Sequence, residues 1–157
     1  MGFEVNITGN RNILNGPDSF FGYLDFESIS KEMLNEAKED IVKGVKAAVR
    51  QSVKHTGDSE LVNSVKAYEP HMTSDGTGAV LSCTFSGKST SGNTYTTTDR
   101  GRTRVKPVLN SDKAFWLEYG VAGRQAAAPW RDRAMNSIEP KIVPKMQRKF
   151  EKEMGAE

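Results

Sequence analysis

The chain is short of the residues that most often announce chemistry. Its one cysteine, Cys83, among 157 residues excludes an internal disulfide and every multi-cysteine metal motif. Cys83 lies in an alternating run, where a buried thiol behaves as a small hydrophobe. The only histidines, His55 and His71, have no acid or thiol partner at metal-ligand spacing, so exposed or structural roles are expected, and no metal or other cofactor. No apolar run approaches the ~18 residues of a membrane span, and the first residues lack the basic-then-apolar order of a signal peptide. A reducing cytoplasm is therefore expected, unless the protein is carried elsewhere in a particle. Charge of one sign is missing too: 22 basic against 20 acidic residues leave +2, so nucleic-acid binding cannot be argued from net charge.

What remains is a polar chain with 36% hydrophobic residues and a mean hydropathy of −0.58. Its length suits one domain spanning 1–157, and its polarity suits long polar loops or surface that is covered on assembly. Residues 1–27 read as an N-terminal arm and strand. Phe3, Val5 and Ile7 alternate with Glu4, Asn6 and Thr8, the period of a short strand. Asn10–Pro17 is turn chemistry, and Phe20, Phe21, Tyr23, Leu24 and Phe26 then read as a lid packed on the core.

Residues 28–54 form the clearest helix. Ile29, Met33, Ala37, Ile41, Val45 and Val49 recur every four residues, and Leu34, Val42, Ala48 and Val53 widen the stripe. Asp25 or Ser28 can cap its start. The opposite side is mixed in sign, which argues for a core helix rather than one lying on a membrane. Gly44 costs this helix about 1 kcal/mol relative to Ala, and reads as a point of close helix contact. Gly57 suits the stop, and Asp58 or Ser59 a cap for a short helix through Leu61, Val62 and Val65.

Residues 65–109 read as a sheet with a polar insertion. Val65–Tyr68 extends toward Pro70, and Ser74-Asp75-Gly76-Thr77-Gly78 is a turn. Ala79, Leu81, Cys83 and Phe85 then share one face of a half-buried strand. Ser86–Arg104 is the most polar stretch, with an edge strand at Thr94–Thr98 that Asp99-Arg100-Gly101 can turn. Arg100, Arg102, Arg104 and Lys106 alternate, which on one strand sets all four cations on one face. They read either as a solvated hairpin face or as a patch for nucleic acid or an acidic partner.

Residues 110–157 hold a structural hub and a C-terminal helix. Phe115, Trp116 and Tyr119 surround Glu118, Gly120 can stop the element, and Gly123–Ala128 is a loop of small residues. Pro129 suits the first turn of a new helix, followed by Trp130 and Arg131. Trp116, Tyr119 and Trp130 are expected to pack together beneath the Gly123–Ala128 loop. Ala134, Ile138, Ile142, Met146, Phe150 and Met154 then recur every fourth residue across Pro140 and Pro144, giving one bent helix or two meeting near Pro140.

The element order predicts an α+β fold, an antiparallel sheet packed by a long N-terminal and a C-terminal helix with a long polar hairpin or loop. The carboxylates are scattered over helix surfaces and no Ser/His/Asp arrangement has plausible context, so no enzyme is expected.

The order of motifs resembles the small neck proteins of long-tailed bacteriophages, the tail-completion or head–tail joining family with relatives of the lambda minor tail protein Z. The resemblance rests on Thr56-Gly57-Asp58-Ser59-Glu60-Leu61-Val62-Asn63-Ser64-Val65, on Phe115-Trp116-Leu117-Glu118-Tyr119-Gly120 and on Ala128-Pro129-Trp130-Arg131-Asp132-Arg133-Ala134. Val121 stands where that family has Thr, and Asp132-Arg133 replaces its Leu-Arg-Pro continuation. The resemblance implies a structural virion protein at the head–tail junction, made in the bacterial cytoplasm and assembling as a homo-oligomeric ring. Its neighbours would be a connector or stopper on one side and a tail terminator or tail tube on the other. DNA would pass through the lumen without sequence-specific binding, and no membrane is involved. Residues 100–106 are expected on an arm that reaches a neighbouring subunit. A small nucleic-acid-binding accessory module, using the basic strand and the basic terminal helix, is the alternative.

Overall fold

The computed structural model describes residues 2–8, 26–53, 59–90 and 92–153. The expected turn at Asn10–Pro17, the lid residues Phe20, Phe21, Tyr23 and Leu24, His55, and the caps at Asp25, Gly57 and Asp58 lie outside them.

Strand β4 (Gly78–Phe85) is the centre of the main sheet. Strand β1 (Gly2–Thr8) pairs antiparallel along its whole length, from Gly2 opposite Thr84 to Thr8 opposite Gly78. The other side of β4 is shared by β2 (Val65–Ala67) and β3 (His71–Met72), both antiparallel. Pro70 falls between these two strands and has no N–H to give a ladder. The expected alternation holds: Ala79, Leu81, Cys83 and Phe85 are buried, while Val80, Ser82 and Thr84 are half-buried on the other face.

Helix α1 (Phe26–Ser52) lays its apolar stripe on the buried face of that sheet. Leu34, Ala37, Ile41, Val45, Ala48 and Val49 join Phe3, Val65, Leu81 and Phe85 in one core. Each large side chain in it contributes about 1.5–3 kcal/mol by leaving water. Helix α2 (Ser59–Asn63) adds Leu61 and Val62. Beyond it come β5 (Thr94–Asp99), β6 (Arg102–Pro107), α3 (Asn110–Tyr119) and α4 (Arg131–Glu153). The protein is α+β, with a four-stranded antiparallel sheet, two long helices and a separate two-stranded hairpin.

Helix α4 runs antiparallel along α1. Ile138 sits against Gly44, Lys145 pairs with Asp40, and Lys149 bridges Glu32 and Glu153 at 2.9 Å each. The hydrogen bond from Lys145 is the main reason the Asp40 carboxyl is held below its usual range. Hydrogen bonds to Glu32 and Glu153 push the Lys149 ammonium up. A Cβ on residue 44 would come within 2.8 Å of Ile138 Cδ1, so glycine is what lets the two axes approach. Of the two forms expected for this segment, the chain adopts a single helix: Pro140 and Pro144 lie inside it, both exposed or at its exposed edge rather than in its buried Ala134–Ile138–Ile142–Met146 stripe.

Candidate functional site

The hub is built from the end of α3, the return loop and the start of α4. Gly120 ends α3 with φ 78°, and its N–H donates to Trp116 O at 2.8 Å. A side chain there would meet the Ala127 N and Gln125 O atoms at 2.8 Å, so the tight return of the loop requires glycine. Val121 N–H donates to Gln125 O at 2.8 Å and Ala128 N–H to Leu117 O at 2.7 Å. These bonds bring residue 130 back beside Glu118.

Glu118 Oε2 accepts the backbone N–H of Trp130 at 2.8 Å and of Arg131 at 3.2 Å. The carboxylate thus caps α4 from outside the helix, placing negative charge at its positive end and using donors the first turn would leave open. Arg131 in turn donates through Nη2 to Gly2 O at 3.3 Å, tying the same corner to β1. Pro129 is exposed and its carbonyl accepts from Ser52 Oγ at 3.4 Å, so the end of α1 meets the start of α4.

The three hub aromatics do not form one cluster, contrary to expectation. Trp130 is 0% exposed, stands edge-on to Phe85 at 5.2 Å, and donates its indole N–H to Ala114 O at 3.2 Å. Trp116 is half-buried and meets Tyr95 of β5 edge-on at 5.9 Å. Tyr119 is 57% exposed and leans on Phe115, itself 49% exposed, at 4.8 Å. The helical period explains the split. Residues 115 and 119 share the outer stripe of α3, while 116 is rotated about 100° from 115 and Trp130 enters against the Ala114–Leu117 side. Nor does the loop cover the rings, since residues 122–127 are exposed.

The basic stretch lies on a hairpin arm of its own. Strands β5 and β6 pair only with each other, from Thr94 opposite Pro107 to Asp99 opposite Arg102. Arg102, Arg104 and Lys106 share a face with Asp99, Thr97 and Tyr95. Arg100 does not join them, because it sits in the turn with φ 48° beside Gly101. The opposite face carries Thr94, Thr96, Thr98, Thr103, Val105 and Pro107 and no charge. Every residue of β6 is exposed, and among the described residues none of the four cations is in an ion pair.

The root of the arm is pinned to the body. Val108 N–H donates to Asn93 O at 3.0 Å, Ser89 N–H to Val108 O at 2.8 Å, and Asn110 Nδ2 to Ser86 O at 2.9 Å. Glu60 of α2 accepts from Thr90 N–H at 2.8 Å and Thr90 Oγ1 at 3.1 Å, and pairs with Lys113 at 3.5 Å. The Thr90 N–H is the main reason its carboxyl is held low. Glu60 was not legible as a clamp, since Thr90 and Lys113 are distant in sequence and share no motif with it. Between arm and body lies a cleft of about 500 Å³, whose walls include Tyr95, Lys113, Trp116, Arg124 and Gln125.

Comparison with protein-family models, curated proteins and solved structures gives no match to this chain. Among the described residues no group of three or more His, Cys, Asp or Glu could hold a metal ion, and no helix is long and apolar enough to cross a membrane. Cys83 is buried in β4, and burial pushes its thiol up to about 11. The described surface carries an exposed aromatic pair on α3 and a cationic arm.

Proposed function

We propose that the protein is a structural component of the phage neck, which completes the tail and joins it to the DNA-filled head as a homo-oligomeric ring. The observation that carries this reading is the Glu118 cap. Two segments on which the resemblance rests, 115–120 and 128–134, are joined by the bonds from Trp130 and Arg131 to one carboxylate, so they act as one structural unit. A rigid body bearing a projecting arm and an exposed Phe115–Tyr119 pair also suits a heterologous ring, in which each subunit offers one surface and receives another. Exposed aromatics of this kind are the usual anchors of such contacts. The neighbours along the axis would be a connector or stopper and a tail terminator or tail tube.

The test is native mass spectrometry and negative-stain imaging of the purified protein, alone and mixed with tailless capsids. Rings, or a collar added at the capsid vertex, are expected. Deleting residues 90–104 should abolish both. A monomer that leaves capsids unchanged, or normal joining by the deletion variant, would refute the reading.

A further inference from the structure

We infer that the cationic face of the β5–β6 arm, with the cleft at its root, binds the phosphate backbone of duplex DNA without reading sequence. The face is defined by register. Tyr95 is opposite Lys106, Thr97 opposite Arg104 and Asp99 opposite Arg102, and the Tyr95 ring meets Trp116 of the body. The three cations therefore project from the side of the arm that turns toward the body, where Tyr95 and Thr97 are half-buried while every other β5 residue is exposed. Successive cations on one strand face stand about 6.8 Å apart, a row rather than a point. The cleft wall adds Arg124, which is exposed and has no acidic partner among the described residues, whereas Lys113 is already paired with Glu60.

Charge is partitioned in the same sense. Residues 94–107 hold Arg100, Arg102, Arg104 and Lys106 against Asp99, a net +3, so the remaining residues of a +2 chain sum to −1. Net charge conceals this because the body balances its own cations, with Lys145 on Asp40 and Lys149 on Glu32 and Glu153. The row has no ion-pair partner among the described residues and is open to a polyanion, and the uncharged Thr/Val face behind it confines that contact to one side. The Tyr95–Trp116 contact sets the angle of the arm and supplies an optical reporter. This inference goes beyond the neck reading and does not need a ring, since each arm binds by itself.

The experiment is fluorescence anisotropy of a labelled 20-base-pair duplex of arbitrary sequence, titrated with the full chain from 50 to 200 mM NaCl. Four phosphate contacts, by Arg102, Arg104, Lys106 and Arg124, give a log–log slope of about −3.6, or an affinity loss of about 150-fold across that range. The triple variant R102Q/R104Q/K106Q should leave a slope of about −0.9 and a loss of only about 3- to 4-fold. Binding should also change tryptophan emission, and Trp116→Phe should remove that change while the buried Trp130 keeps reporting a folded body. No binding at 50 mM, or a triple variant with the wild-type slope, overturns the inference. So does equal affinity for poly-glutamate, which would make an acidic protein surface the occupant.

Discussion

Replacing Gly44 by alanine sets two effects of known sign against each other. In an open helix the change stabilises by about 1 kcal/mol, the propensity difference. Here the new methyl would press on Ile138 Cγ1 and stand 2.8 Å from its Cδ1, with Ser137 Oγ at 3.5 Å. Ile138 is 1% exposed, and α1 is itself held in the core by Ile41 and Val45, which flank Gly44 on the helix. Forcing an extra methylene into a packed site costs about 1–3 kcal/mol. The net is a destabilisation of up to about 2 kcal/mol, or a melting temperature lower by up to about 8 °C in a chain of this size. Urea unfolding followed by circular dichroism measures it, with an unchanged slope indicating that stability alone has moved. Ile138→Ala removes both colliding atoms and by itself costs about 2–5 kcal/mol. In the double variant the methyl introduced at position 44 occupies part of that space, so the two changes should fall short of additivity by at least about 1 kcal/mol. A Gly44→Ala protein more stable than wild type, or an additive cycle, would refute the close approach of α1 and α4.

Glu118→Ala removes the cap on α4 and leaves the Trp130 and Arg131 N–H groups without their acceptor, which should lower stability by about 1–2 kcal/mol in urea. Glu118→Gln keeps an oxygen there and should lose less, and equal losses would show that the bonds at 2.8 and 3.2 Å do not matter. Asp75 accepts from Thr73 Oγ1 at 2.6 Å and from Thr77 N–H at 3.1 Å, and the Thr73 bond leads in bringing its carboxyl down to about 2. A carboxyl depressed on folding contributes stability above its unfolded value, and loses it as pH falls through the folded one. That contribution is present above pH 3.8 and fades toward pH 2. Side-chain NMR should find Asp75 titrating near 2 in the wild type and higher in Thr73→Val, whereas an unchanged midpoint in the variant would disprove the Thr73 contribution.

The legible parts of the fold are those whose information is local. The four-residue recurrence in α1 and the alternation in β4 each name a buried face without naming what covers it, and both faces are buried as read. Gly44 was legible as a close contact because a glycine inside a helix is a local cost that needs a reason. Partners across long separations were not legible. The Trp130 ring finds Phe85, and Glu60 finds Thr90 and Lys113, through a path that no short window contains. The arm is an intermediate case. Its alternation placed three cations correctly and its glycine marked the turn at Asp99-Arg100-Gly101, but that turn, with Arg100 at φ 48°, takes the fourth cation off the strand, so an alternation counted through the turn included one residue too many.

The prolines of α4 bear on the order in which the chain folds. Pro140 and Pro144 lack the N–H that an interior helical position needs, so the segment as a free peptide should have little helix. Its helical form depends on α1, through Ile138 on Gly44 and the Lys145 and Lys149 bridges. On the ribosome, α1 is finished long before residues 131–153 exist. Until they are translated, the side of α1 that receives Ile138 faces water or a chaperone. Such a nascent chain is vulnerable to aggregation, and slowing synthesis anywhere between the two helices would lengthen that exposure.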